Sequence, residues 1–448
     1  MTQRYPQQMG ALETAQAIAD GRTTAVAECE AAIARIEARN PALNAVVVKD
    51  YDRARADAIA ADAAIAAGER RPLLGVPMTV KESYELAGQP QTWGFAEYRD
   101  NIIAHDGSTV RRLRAAGAII LGKTNVPVAL ADLQSVNPVY GRTVNPWDVT
   151  RTCGGSSGGS AAALASGMVP LEIGTDIGGS IRTPAHFCGV FGHKTSYGVI
   201  PLDGHRRPGT DGADRPLSVA GPMARSAEDL AAALDVVASE ILPRASITSL
   251  NGVRLLLLDQ HPRAAVMQQI ADGINAVAAK AVAQGATCQN ARDIGEGLPD
   301  LGVLMDDYIR MLMIIMSGGA PTVDGKQATV QDWFALCDAQ ARVRRAFAKL
   351  FEQYDAILCP VHGTTAFPHD DTPDMGTRVL MVDGMPTPYA DQFAWISMAT
   401  FAGLPSTSTP IGRASDGLPY NMQVIGADRR DHDTIALAGL LASSSRAL

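Results

Sequence analysis

The sequence predicts an α/β protein: a single large domain over residues 1–448, with a central mixed, mostly parallel β-sheet covered by helices on both faces. Three observations point there. Short apolar runs of strand length alternate with helical periodicity, the pattern of a sheet buried on both sides. A chain of 448 residues that is 46% hydrophobic and 19% charged has enough apolar material for one large core. No internal repeat, low-complexity tract or linker divides it.

Residues 1–9 carry no periodicity and are expected to be loose. Ala-rich helices follow over 11–20 and 23–39; in the second, Val26, Cys29, Ile33 and Ile36 recur at helical spacing behind Thr23 or Thr24 as a cap. Residues 52–68 form another Ala-rich helix, and LLGVPMTVK (73–81) reads as a strand entering a tight turn. A helix over 107–116 leads to the apolar run AIIL (118–121); a helix over 158–167 precedes the buried strand MVPLEIGT (168–175). VRLLLL (253–258) is a strand, followed by a helix with Val266, Ile270, Ile274 and Val277 on one face. A long helix over 329–353 feeds the strand DAILCP (355–360), and a helix over 389–402 precedes GLPSTSTPI (403–411). The strand YNMQVIG (420–426) and a helix over 431–444 come last. Residues 240–330 are expected to be a variable embellishment, with 285–330 readable as a separate lobe or as an insertion.

A formal net charge of −8, with no block of like charges, argues against a nucleic-acid surface or a basic membrane patch. The six cysteines form no C-x-x-C pair and read as isolated buried thiols of a reducing cytosol. MTQRYPQQMG has no apolar signal core, and no stretch reaches membrane-span length, so a cytoplasmic location is expected. The eight histidines show no metal-ligand spacing, and neither a metal nor a cofactor is expected.

CGGSSGGSAAALASG (153–167) sets the functional question, because each glycine costs backbone entropy on folding. A flexible linker does not fit, since a helix and a buried strand follow directly. A phosphate cradle does not fit either: neither G-x-x-x-x-G-K-[ST] nor G-x-G-x-x-G is present. A second Gly-rich turn, GTDIGGSIRTP (174–184), follows a strand and opens a helix. Ser180, at that helix start behind Gly-Gly, is a candidate nucleophile, with unpaired N–H groups nearby to hold an oxyanion. A serine hydroxyl needs a base. His186 and His193 are near in sequence and stay open as that base, although G-G-S-I-R does not match a G-x-S-x-G elbow.

The two serine turns together resemble the amidase signature family. The resemblance extends over LLGVPMTVKES (73–83), AGAIILGKTN (116–125), NPWD (145–148), LSVAGPMARSAEDL (217–230), GLPSTSTPIG (403–412) and GLPYNMQVIG (417–426), and is thin over 240–355. It implies a Ser–Ser–Lys triad: Ser180 as nucleophile, Ser156 as a bridging serine in a cis linkage, Lys81 as base. It also implies an oxyanion hole from the N–H groups of Ile177, Gly178, Gly179 and Ser180. Burial behind the apolar VPMTV run would lower the pKa of Lys81 enough for it to act as a base at neutral pH.

Ser157 and Thr175 are expected to support this site by hydrogen bonding, and Asp176 and Arg182 to brace the nucleophile turn. Lys123 reads as structural and Cys153 as a small filler. Trp93, Leu130, Tyr140, Tyr389 and Trp395 are candidate pocket residues, with Phe95 also considered, although aromatics more often fill cores. The expected substrate is a small carboxamide or N-substituted amide with an apolar or aromatic acyl part. A homodimer is left open. One rival is the glutamine-hydrolysing A subunit of a tRNA-dependent amidotransferase; Val128 and LSVAGPMAR depart from that subunit's pattern. The other is an inactive binding protein on the same scaffold, which the filled triad positions argue against.

Overall fold

Fifteen strands and twelve helices are found in a computed structural model that describes residues 8–295, 297–318 and 327–445. Most of the expected loose stretch at 1–9 therefore lies outside the described residues. The strands are β1 (Val46–Lys49), β2 (Pro77–Lys81), β3 (Ile119–Thr124), β4 (Val136–Asn137), β5 (Gly141–Arg142), β6 (Leu171–Asp176), β7 (Phe191–Lys194) and β8 (Val219–Ala224). They continue as β9 (Arg254–Leu257), β10 (Thr287–Asn290), β11 (Ala356–Pro360), β12 (Val379–Val382), β13 (Met385–Pro388), β14 (Ser406–Arg413) and β15 (Pro419–Ile425). The helices are α1 (Ala11–Ala19), α2 (Ala25–Leu43), α3 (Tyr51–Ala66), α4 (Ser108–Ala115), α5 (Gly158–Ala165), α6 (Arg182–Cys188), α7 (Ala227–Val237), α8 (Gln268–Ala283), α9 (Leu301–Ser317), α10 (Val330–Leu350), α11 (Phe393–Ala402) and α12 (Asp431–Ser445).

Eleven strands join in one sheet, in the order β1-β3-β2-β6-β8-β7-β14-β15-β11-β9-β10. It is mixed, as the sequence predicts, but not mostly parallel. Only β2–β3, β2–β6, β9–β11 and β9–β10 pair in parallel, and the other six pairings are antiparallel. The difference arises in the middle of the sheet. There β8 returns between β6 and β7, and β14 turns straight back into β15 without a crossover helix.

Strand alternation sends apolar side chains to both faces. At one end of the sheet, Leu256 and Ile357 pack with α9, α10 and α11, whereas Leu255, Leu257 and Leu358 pack with α8 and α12. At the other end, Val80 and Ile120 face α4 and α7, while Ile119 and Leu121 face α2, α3 and α5. Helices thus cover both faces, as expected. Thr24 caps α2 by accepting from the Ala27 N–H. Part of the stretch expected as an embellishment is instead sheet: β9 and β10 close one end of it, β10 as the edge strand, and α8 covers them. The helix α9 packs into the core with α10 and α11 and is no separate lobe. Among the described residues no helix is long and apolar enough to cross a membrane.

For the site, the key pairing is β2 with β6. They are parallel neighbours with Met78 opposite Leu171, so their carboxyl ends, Lys81 and Asp176, emerge on the same edge. In open α/β sheets that edge is where ligands bind.

Candidate active site

Lys81 ends β2 wholly buried, and its Nζ donates to Ser156 Oγ at 2.6 Å and to Thr175 Oγ1 at 2.9 Å. Burial pulls its pKa from 10.5 down to about 7, against the opposing pull of the Asp176 and Glu82 charges. Ser156 follows a cis Gly155–Ser156 peptide. The glycines before it stand where no side chain fits. A Cβ on Gly155 would lie 2.2 Å from the Asp132 carbonyl oxygen; one on Gly154, at φ +86°, would lie 2.6 Å from Pro184 Cα. That answers why the run is glycine: the backbone of one serine turn lies directly against its neighbours.

The two serine turns are tied together. The Ser157 N–H donates to the Ser180 carbonyl at 3.0 Å, and Ser157 Oγ sits 3.4 Å from both the Thr175 carbonyl oxygen and the Thr175 N. The turn carrying Ser180 wraps around the Asp176 carboxylate, which accepts the N–H groups of Gly179 (3.0 Å), Ile181 (3.1 Å) and Arg182 (3.4 Å). Arg182 closes a wholly buried ion pair on the same carboxylate at 3.0 Å. It also donates to the Ile396 carbonyl, Gln423 Oε1 and Thr400 Oγ1, anchoring the turn to α11 and β15. Burial pulls the Asp176 carboxyl upward, but the Arg182 guanidinium outweighs it and holds the group below its ordinary range.

Because Gly179 is engaged with Asp176, three of the four N–H groups expected to form an oxyanion hole, those of Ile177, Gly178 and Ser180, have no protein acceptor among the described residues. Ser180 Oγ makes no hydrogen bond among the described residues either. It opens into a cleft shared with Ser156 and Thr175.

The histidines left open as bases are committed elsewhere. His186 lies between the Thr364 carbonyl and the Asn421 backbone, its pKa pulled to about 4 by burial. His193 lies between Thr407 and Asp431. Lys123 is buried and donates to the Pro90 carbonyl, in keeping with a structural role. Cys153 is wholly buried, and burial pushes its thiol up to about 12, which leaves no thiolate at neutral pH.

Of the candidate pocket residues, Trp93 and Leu130 line the cleft. The other three are not among its lining residues. Tyr140 donates to Glu82 Oε1 at 3.2 Å; Tyr389 is buried with its hydroxyl 2.7 Å from Asp132; Trp395 is core, packed edge-on to His261. Each aromatic was drawn inward by a polar anchor or by the apolar core. Phe95 instead carries the Arg207 guanidinium on its face.

Several residues were not anticipated. Glu82, next to Lys81, accepts the N–H groups of Thr92 (2.6 Å) and Trp93 (3.0 Å) and so holds the Trp93 ring at the cleft wall. Trp93, Ala129 and Leu130 all adopt positive φ there, the strained backbone that functional clefts collect. His205, Arg207, Arg215 and Met316 are also among the cleft's lining residues. Met316 comes from α9, whose Tyr308 hydroxyl also donates to the Ile177 carbonyl at 2.9 Å. The sequence signal for the cations was the run RRPGTDGADRP (206–216) leading into LSVAGPMAR.

A cleft at the carboxyl edge of the sheet that holds Ser156 and Ser180 suits a hydrolase, and the comparisons with known proteins give its class as amide-hydrolysing. The Amidase family model matches residues 28–284 and 307–435. A putative amidase AmiB2 of Mycobacterium tuberculosis is 32% identical over 97% of this chain and 96% of its own. The indoleacetamide hydrolase of Bradyrhizobium diazoefficiens is 32% identical over 98% of this chain and 87% of its own. The crystal structure of a bacterial aryl acylamidase of the amidase signature family superposes with a TM-score of 0.83 at 26% identity, over 98% of this chain and 96% of that one. The chain belongs to the amidase signature family.

Proposed function

We propose that the protein hydrolyses a small-molecule carboxamide or N-substituted amide through an acyl-enzyme on Ser180, with Ser156 and Lys81 as its proton relay. The observation that carries this reading is the contact between the wholly buried Lys81 amine and Ser156 Oγ at 2.6 Å, in the cleft that holds Ser180. With a pKa near 7, the amine has a free lone pair in a large fraction of molecules at neutral pH.

In the first half-reaction Ser180 Oγ attacks the amide carbon as its proton passes to Ser156 Oγ, whose own proton passes to Lys81 Nζ. The developing oxyanion takes hydrogen bonds from the N–H groups of Ile177, Gly178 and Ser180, with Gly179 spent on shaping the turn. The relay then reverses. Lys81 returns its proton through Ser156 to the leaving nitrogen, the C–N bond breaks, and the amine departs. Water attacks the ester by the same route and frees the acid and Ser180. The contact between the two serine hydroxyls closes with substrate in place, as is common for catalytic hydrogen bonds.

A fluorophosphonate or sulfonyl-fluoride probe tests the assignment. Labelling is expected on Ser180 by peptide mass spectrometry, and both labelling and amide turnover are expected to vanish in Ser180→Ala. Unchanged labelling and turnover in that variant would remove Ser180 as nucleophile. Lys81→Ala is expected to lose turnover while keeping its circular dichroism spectrum.

A further inference from the structure

The cleft around Ser180 carries a charge that amide hydrolysis alone does not need. Arg206, Arg207 and Arg215 line it together with one acid, Asp214. Asp214 is matched to Arg206 at 4.0 Å. Arg207 and Arg215 have no carboxylate partner among the described residues. Instead their guanidinium groups lie over aromatic faces, Arg207 at 4.8 Å from the centre of Phe95 and Arg215 at 5.3 Å from that of Trp93. Arg215 is held further by Met316 Sδ at 3.6 Å. The aromatic and thioether contacts fix the flat groups while leaving N–H donors unspent. The remaining titratable groups facing the cleft do not offset them: His205 is kept neutral by burial, and Lys81 sits behind Ser156.

Two cations placed side by side, one of them half-buried, are unfavourable until an anion joins them; burial and the Arg207 charge both push the Arg215 pKa down. The rest of the molecule has the opposite sign, with a formal net charge of −8, so the positive cleft is a local feature and not background. The same cleft also carries apolar side chains, those of Trp93, Leu130, Leu202 and Met316.

We propose that the substrate is an acidic amide, with an apolar stem against Trp93 and Met316 and a carboxylate received by Arg215, with Arg207 behind it. This rests on the reading of Ser180 as nucleophile. It also alters the expectation of an apolar or aromatic acyl part, which took no account of these cations. A fork of N–H donors matches the two oxygens of a carboxylate, and such charge-assisted bonds are the strong ones.

The test uses the full-length protein and the rate at which a sulfonyl fluoride labels Ser180, read by intact mass. Acetate, succinate, glutarate and benzoate are added as protectants, each beside its neutral amide. The best acid is expected to protect at least about tenfold more tightly than its amide. That ratio is expected to collapse toward one in Arg215→Gln, to survive in part in Arg215→Lys, and to shrink with added salt. Arg207→Gln, at an exposed position that cannot unfold the protein, is expected to lower it by a smaller factor. Equal protection by acid and amide, or a ratio unchanged in both glutamine variants, would overturn the proposal. Tighter protection by a phosphonate of equal length would assign the pair to a phosphate-class group and overturn the carboxylate. Failure of Ser180 to label at all would instead strike the nucleophile reading.

Discussion

Replacing Lys81 by Met should make the protein inactive and, below neutral pH, more stable. The variant keeps the buried stem and deletes the amine. In the folded protein that amine releases its proton near pH 7, whereas in the unfolded chain it holds it to about 10.5. Between those values the unfolded state binds more protons, so wild-type stability rises with pH. The penalty is fully present below about 7 and gone above about 10.5. At about 1.36 kcal/mol per pH unit, its ceiling is about 5 kcal/mol. Integrating the linkage relation from pH 6 to pH 9 recovers about 3 kcal/mol of it. The two lost hydrogen bonds, to Ser156 and Thr175, cost about 1 kcal/mol each and do so at every pH. Urea denaturation of both proteins at the two pH values reads the difference, in which all other titrating groups cancel. The stability advantage of Lys81→Met should shrink by about 3 kcal/mol on going from pH 6 to pH 9. A gap that stays constant would mean that Lys81 titrates as an ordinary lysine, and the relay would lose its base.

The same ionisation should appear in kinetics: kcat/KM should rise with pH through a single ionisation near 7, and a profile flat from pH 5.5 to 8.5 would exclude Lys81 as the base. Gly155→Ala should lose turnover and about 1–3 kcal/mol of stability, because its Cβ meets the Asp132 carbonyl at 2.2 Å. Gly212→Ala, with nothing within 4 Å, is the matched control, and melting curves with turnover assays compare the two. Arg182→Leu should cost about 3–5 kcal/mol by thermal unfolding, since it leaves the Asp176 carboxylate buried and unpaired. In whatever fraction folds, the acid limb of the kinetic profile should move to higher pH.

The strand and helix positions were legible wherever periodicity was strong: β11 and α10 lie within about three residues of where the apolar pattern puts them. Strand direction was not, because an apolar run carries no sign of the chain's heading. Only the connection does, and Asp416-Gly417 between β14 and β15 is a hairpin signal of that kind. The strand β8 was hidden by Pro222 in its middle, a residue that argues against an interior strand. The helix α9 has clear apolar spacing but follows a stretch with no flanking strand cue, so its place over the cleft could not be inferred. In the site, Lys81, Ser156 and Ser180 stand out in the sequence because they lie in dense local motifs. The arginines do not, because the rings they lie over, Phe95 and Trp93, are more than a hundred positions away in sequence.

On the proposed relay, a base at Lys81 would depend on an arginine that lies off the relay. Asp176 ends the strand beside Lys81, and its negative charge pulls the Lys81 pKa upward, toward a protonated amine that cannot accept from Ser156. The turn cannot dispense with the carboxylate, because three of its N–H groups converge there to set the position of Ser180. Arg182 resolves the conflict. Its guanidinium lies on the same carboxylate in a wholly buried pair, so the field reaching Lys81 is that of a dipole and falls off faster than that of a bare charge. Glu82, the other nearby acid, is likewise occupied by the N–H groups of Thr92 and Trp93. With both acids engaged, the desolvation of Lys81 behind the apolar end of β2 prevails, and its amine stays a base at neutral pH.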